Sequence, residues 1–234
     1  MSTPANPSAA PVAFIGGGNM ATAIIGGLIS AGRPAASILV IDPGEGQRTV
    51  LESRFGVRTA ADAASAGGAL ANAGLVVWAV KPQVFAEAAA PVAPRLAGAL
   101  HLSVMAGVRC DTIARAMGLE PAAARIVRSM PNTPALIGRG IAGLYATPAV
   151  GAAERALVEQ VLAPTGRTLW VAREADLDAV TALSGSGPAY VFYFIEAMVQ
   201  AATEMGLTAE QGRQLAQATF AGATALAQAS PLQP

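Results

Sequence analysis

One cysteine, one histidine and one lysine are all that this 234-residue chain has of those types. With Cys110 alone there is no intrachain disulfide and no thiolate metal cluster. With His101 alone there is no His-rich metal site. Any Ser-His-Asp or Cys-His nucleophilic site would rest entirely on His101, which opens an apolar strand-like run and reads as a surface or packing residue. Charge is scarce too: 13% of residues are charged and the formal net charge is zero, so nothing points to a nucleic-acid partner or an anionic membrane surface. No apolar run is long enough to span a bilayer. The most apolar segment, residues 189–198, contains Tyr190, Tyr193 and Glu196. Residues 1–10 have neither a basic nor an apolar targeting region and read as a disordered tail. A soluble, cytoplasmic protein that acts on a small molecule is expected.

What the chain does have is apolar: 53% of its residues are hydrophobic. Short apolar runs alternate with helical stretches. Val12–Ile15, Ile38–Ile41 and Leu75–Val80 read as strands covered on both faces, followed by runs at 99–104, 125–129, 141–146 and 168–171. Helices are expected at 20–30, 47–55, 83–95 (broken by Pro91 and Pro94), 110–117 and 152–162. After about Arg173 only helical segments follow, at 177–183, 188–205 and 208–229. The expected fold class is α/β: a Rossmann-type doubly wound, mostly parallel sheet followed by an all-α C-terminal region. The division is 1–10 tail, 11–172 dinucleotide-binding domain and 173–234 helical domain.

Gly16-Gly17-Gly18-Asn19-Met20-Ala21 fits G-x-G-x-x-G/A between an apolar strand and a helix. Gly16 permits the tight turn, Gly18 leaves out the Cβ that would block a pyrophosphate, and Ala21 lets helix and strand pack closely. The helix N-terminus, at Asn19 and Met20, turns free N–H groups and a positive dipole end to the phosphates. Asp42 ends the second strand about 20 residues further on, where an acidic residue accepts from a ribose hydroxyl. Two alternatives stay open there: Arg48 could meet a 2′-phosphate, and Asp42 could simply cap the turn before Pro43.

Three further segments carry chemistry. Ala79-Val80-Lys81-Pro82 stands at the carboxyl end of the third apolar run, where open α/β sheets bind ligands. Ser129-Met130-Pro131-Asn132-Thr133-Pro134 offers an amide and hydroxyls on a loop stiffened by two prolines. Ser184-Gly185-Ser186-Gly187 precedes Pro188 at a helix start, an arrangement that offers N–H groups and two hydroxyls to a carboxylate. Asn132 and Thr133 are expected to line the nicotinamide and substrate pocket, with a purely structural turn as the alternative.

In order and spacing these motifs, with Phe14-Ile15-Gly16-Gly17-Gly18-Asn19-Met20, closely resemble pyrroline-5-carboxylate reductases, from about Val12 to at least Gly222. The resemblance implies reduction of the cyclic imine Δ1-pyrroline-5-carboxylate to L-proline with NADPH, or NADH, in proline biosynthesis. It also implies a helical dimerisation domain and a homodimer, or a higher assembly of dimers, with the active site between subunits. Lys81 then lies beside the cofactor with Pro82 shaping its loop, and Ala106 and Gly107 join the cofactor set. The chemistry is compatible with the shortage of histidine and cysteine: a protonated C=N bond is already electrophilic, so hydride transfer needs orientation and water exclusion more than a strong acid–base pair. The residues support oligomerisation independently, because Val191, Phe192, Phe194, Ile195, Met198 and Val199 present more apolar surface than one short helical domain can bury.

The chain departs from the resemblance at its end. Relatives continue with a segment of the form S-P-G-G-T-T that supplies carboxylate contacts and a proton-donating hydroxyl, and nothing up to Pro234 matches it. The catalytic proton donor is therefore expected beyond Pro234, the helical domain is expected to be incomplete, and a polypeptide ending there should bind cofactor with little turnover. Two other readings compete. A β-hydroxyacid dehydrogenase would need a lysine on a second-domain helix, and no lysine follows Lys81. A non-catalytic cofactor-binding scaffold would bind NADPH without oxidising it.

Overall fold

The computed structural model describes residues 11–96 and 98–230. The expected tail, 1–10, lies outside the described residues. In chain order the elements are β1 (Val12–Ile15), α1 (Asn19–Ser30), β2 (Ile38–Ile41), α2 (Glu45–Phe55), β3 (Arg58–Ala60), β4 (Leu75–Trp78), α3 (Phe85–Ala89), α4 (Ala93–Leu96), β5 (Leu100–Ser103), α5 (Cys110–Ala116), β6 (Ile126–Met130), β7 (Gly140–Ala146), α6 (Ala152–Leu162), β8 (Gly166–Trp170), α7 (Asp176–Val180), α8 (Gly187–Glu204) and α9 (Ala209–Ala229). The expected helix over 83–95 is divided into a 3-10 turn at Pro82–Val84, then α3 and α4. Pro91 and Pro94 lack the N–H groups a continuous helix would use.

The eight strands form one sheet in the order β3-β2-β1-β4-β5-β6-β7-β8. β1, β2, β4 and β5 are buried at every position, as expected of strands covered on both faces. Alternate residues of β1 enter separate cores: Val12 and Phe14 pack on one side with Ile24, Ile25 and Leu28 of α1, and Ala13 and Ile15 on the other with Phe85 and Ile113. This is the doubly wound arrangement. The order turns from β1 toward β2 on one side and β4 on the other, the switch at which such sheets bind ligands.

The parallel run ends at β6, which pairs with β7 antiparallel, while β8 returns parallel to β7. Chain length explains this. Only residues 131–139 join β6 to β7, too few for the helical crossover of a dozen or more residues that a parallel pair needs, whereas α6 supplies one between β7 and β8.

His101 sits within β5, paired with Val76 and Ile126, and is fully buried rather than at the surface. Its Nδ1 accepts from Trp78 Nε1 at 3.2 Å, and the two rings stack with centroids 6.1 Å apart. Burial, then the charge of Arg125, lowers its pKa from 6.5 to about 4. As pH falls, the unfolded chain therefore takes up this proton first. The contribution to stability is intact above about pH 6.5 and is lost progressively toward pH 4, reaching roughly 2 kcal/mol by pH 5. Thermal melts of the parent protein between pH 7 and pH 5 should fall more steeply than those of His101→Gln. Parallel pH profiles would show that another group carries the acid sensitivity.

Two compact units result, with the division at Gly185–Ser186. Residues up to 185 include α7, whose Leu177 is buried and whose Val180 lies so near Gly143 of β7 that a Cβ there would come within 2.7 Å of it. The second unit is a pair of helices, α8 and α9. Gly212 lets them close, since a Cβ there would be 2.9 Å from Ala202 Cβ, and Phe194 and Phe220 meet at 6.3 Å. Gln211 N–H donates to the Thr208 hydroxyl, and Thr208 N–H to the Gln211 side chain, forming a capping box at the start of α9. A helix pair has little interior, and Tyr190, Phe192, Tyr193 and Phe194 are 53–70% exposed. Contiguous aromatic surface of this kind marks an interaction face. Among the described residues no helix is long and apolar enough to cross a membrane.

Candidate active site

The expected cofactor residues gather at one edge of the sheet, because β1, β4, β5 and β6 are neighbours and parallel and so share a carboxyl end. Gly16 follows β1, Ala79–Pro82 follow β4, Ala106 and Gly107 follow β5, and Asn132 and Thr133 follow β6. Gly16 has φ +97°, and a Cβ on it would lie 2.7 Å from the Ala79 carbonyl oxygen. Both conformation and space therefore require glycine. Gly16 N–H donates to Ile41 and Ala79 N–H to Ile15, each at 2.8 Å, tying together the ends of three strands. Gly18 is different: a Cβ there would meet nothing within 4 Å. It occupies the N-cap of α1 and no side chain caps that end, so the first N–H groups of α1 face open space. A gap in front of an uncapped helix start suits a pyrophosphate.

Both oxygens of Asp42 bond to the main chain. Oδ2 accepts from Gly17 N–H and Oδ1 from Gly44 N–H, each at 2.8 Å. Arg48 lies over the same turn, its Nη1 donating to the carbonyls of Asp42 and Pro43 at 2.8 Å. Gln47, which the sequence did not single out, donates to the Gly17 carbonyl at 2.6 Å. The glycine loop is thus braced from the β2–α2 turn. Lys81 and Pro82 are exposed beside it, Lys81 preceding the 3-10 turn, and Val80 turns partly inward against the core.

In the β6–β7 loop, Asn132 Oδ1 accepts from Ile141 N–H at 3.0 Å and so closes the loop, while Thr133 is exposed at the start of a 3-10 turn. Gly185 reaches the same end of β6: a Cβ there would be 2.6 Å from Met130 Cε. Ser184 and Gly185 belong to a π-helical turn, Thr181–Gly185, in which the Ser184 hydroxyl donates to the Val180 carbonyl at 3.0 Å. Such turns are frequent at functional sites. Ser186 and Gly187 fall in the second unit, Ser186 at the N-cap of α8 and Gly187 in its first turn beside Pro188.

One ion-pair cluster was not anticipated. Arg128, buried on β6, donates from Nη1 to Glu174 Oε1 at 2.9 Å; Cys110 N–H donates to the same oxygen at 2.7 Å, and Arg109 Nε lies 3.9 Å from Oε2. An arginine within the apolar run Ile126-Val127-Arg128 is a legible signal that a partner must exist, since a buried charge needs one. Which carboxylate supplies it is not legible. Burial, and next the Glu174 carboxylate, push the Cys110 thiol well above its ordinary pKa, so it stays protonated and is no nucleophile.

Sheet topology, glycine loop and uncapped helix start together define an oxidoreductase of the nicotinamide-dinucleotide class, followed by a helical unit. Comparison with known proteins narrows this. Residues 11–107 match the family described as NADP oxidoreductase, coenzyme F420-dependent, and residues 174–234 match pyrroline-5-carboxylate reductase dimerisation. A pyrroline-5-carboxylate reductase of Pseudomonas aeruginosa is 42% identical over 224 residues, 95% of this chain and 80% of the relative. Among solved structures, a pyrroline-5-carboxylate reductase of Coxiella burnetii superposes with TM-score 0.87 at 35% identity, covering 96% of this chain and 82% of that one. The pyrroline carboxylate reductase of Plasmodium falciparum, solved with NADP bound, superposes with TM-score 0.82 at 25% identity, covering 95% and 80%. The chain belongs to the pyrroline-5-carboxylate reductase family.

Proposed function

We propose that this protein reduces Δ1-pyrroline-5-carboxylate to L-proline with NADPH, the last step of proline biosynthesis, with NADH as an alternative reductant. The observation that carries the reading is the gap at Gly18, flanked along one sheet edge by the Asn132-Thr133 turn, in a chain of this family. The reduced nicotinamide, when bound, supplies the hydride. The chain's own residues bind and orient. The N–H groups at Asn19 and Met20 receive the pyrophosphate, Gly16 and Gly18 leave room for it, and Asp42 holds the loop from the adenosine side. Arg48 puts positive charge on the β2–α2 turn, which suits a 2′-phosphate. Ala79, Val80, Lys81, Pro82, Ala106 and Gly107 border the remainder of the cofactor.

Asn132 and Thr133 face the substrate, and Ser184 and Gly185 receive its carboxylate. The imine carbon accepts the hydride while the ring nitrogen, already protonated, takes the electron pair of the C=N bond and becomes the amine of proline. Orientation is what these residues supply in that step. Functionally, residues 11–172 form the dinucleotide-binding part and 173–234 the dimerisation and substrate part. The exposed aromatics of α8 support a homodimer or an assembly of dimers, and the lack of a membrane-spanning helix among the described residues fits a cytoplasmic enzyme.

The test follows NADPH absorbance with the full-length gene product, with and without the cyclic imine. Oxidation that depends on imine and yields an equal amount of L-proline is the expected result. NADPH binding without any oxidation would replace this reading with that of a scaffold.

A further inference from the structure

The Glu174 carboxylate ties two separate pieces of the sheet's carboxyl end together, β6 and the start of α5. Arg128 comes from β6, Cys110 N–H opens α5, and Arg109 precedes it in extended conformation. The segment from Val104 to Arg109 joins β5 to α5 and carries Ala106 and Gly107, both exposed, with Gly107 at φ +74°. Its near end is held by the Ser103 hydroxyl, which accepts from Met105 N–H at 3.3 Å. Its far end is held by Glu174, which caps the first N–H of a helix that has no side-chain cap of its own from Arg109. Ser103 and Arg128 are register partners across β5 and β6, so the two anchors sit on adjacent strands.

We infer that Glu174 is a positioning residue for cofactor binding: it fixes the Val104–Arg109 turn through Cys110 N–H and Arg128, without itself touching cofactor or substrate. The inference rests on the reading above that Ala106 and Gly107 border the cofactor. Arg128 is 8% exposed and Glu174 16%, so water competes weakly for either charge and the carboxylate is held in one place. A turn anchored at both ends presents its exposed backbone already ordered. A turn anchored at one end must be ordered by the cofactor, which weakens binding.

The test measures the NADPH dissociation constant by fluorescence, and steady-state KM for the imine, at a temperature well below the melting midpoint of each variant. Glu174→Ala should weaken NADPH about tenfold, comparable to the loss of one charge-assisted hydrogen bond. The imine KM at saturating NADPH should stay within about twofold. Glu174→Gln retains an acceptor for Cys110 N–H but loses the charge facing Arg128, and should be intermediate; it also serves if the alanine variant does not fold. A lowered melting midpoint with parental NADPH affinity in the folded variant would overturn the inference and leave Glu174 a purely structural ion pair. Gly107→Val separates the two layers. If it leaves NADPH affinity unchanged, the turn does not border the cofactor and the underlying reading fails; if it weakens NADPH while both Glu174 variants do not, only the positioning role fails.

Discussion

Gly16→Val is expected to weaken NADPH binding by at least about 100-fold, while Gly18→Ala weakens it only about tenfold and leaves stability unchanged. The two glycines differ in what surrounds them. At Gly16 a side chain meets a positive φ and the Ala79 carbonyl at 2.7 Å, so β1 and β4 cannot keep their spacing and the loop that carries the helix start is displaced. Strain of this kind costs roughly 1–3 kcal/mol before any clash is counted. At Gly18, φ is ordinary and the Cβ would stand in open space, so the protein itself loses nothing. What the methyl group occupies is the room left for the pyrophosphate. Isothermal titration with NADPH, alongside thermal melts, checks both. A Gly18→Ala protein that binds like the parent would show that the gap is not where the phosphates lie.

Gly166→Ala should be the most destabilising single methyl addition in the dinucleotide-binding unit. Gly166 has φ +133° and pairs with Gly140, whose carbonyl oxygen would be 2.0 Å from the new Cβ. Gly140 cannot retreat, because its own Cα approaches the Ala135 backbone so closely that a Cβ would lie 2.9 Å from it. Backbone strain and overpacking together suggest about 3–5 kcal/mol, or a fall in melting midpoint on the order of 10 °C for a chain of this size. Activity should fall as well, since the displaced start of β7 includes Ile141, whose N–H holds Asn132. A midpoint within roughly 2 °C of the parent's would mean the β7–β8 edge is more compliant than these distances imply.

Local signals located the elements that position the site. Four-residue apolar runs alternating with helical stretches fit strands covered on both faces of a parallel sheet, and Gly16–Ala21 between a strand and a helix states its purpose through the places where side chains are missing. The same signals left the β6–β7 reversal unread. Periodicity records whether a segment is a strand, not its direction, and the direction here follows from the nine-residue connection at 131–139. Local signals do not decide between a surface and a packing role for His101, for a related reason. A lone polar residue in an apolar run reads as an interruption until Trp78 appears beside it as a hydrogen-bond donor.

By itself, the sequence determined the doubly wound class, the glycine loop at the end of β1, the helical character after residue 173, and the motifs that place the chain among pyrroline-5-carboxylate reductases. Those properties depend on near neighbours along the chain: turns, caps and side-chain period. Only the tertiary structure decided that Asp42 and Gln47 brace the glycine loop, that Asn132 closes the β6–β7 loop, and that Glu174 joins Arg128 to the start of α5. Each of these is a hydrogen bond between groups far apart in sequence. Its partner is selected by which strand ends the sheet brings side by side, and local composition carries no record of that choice.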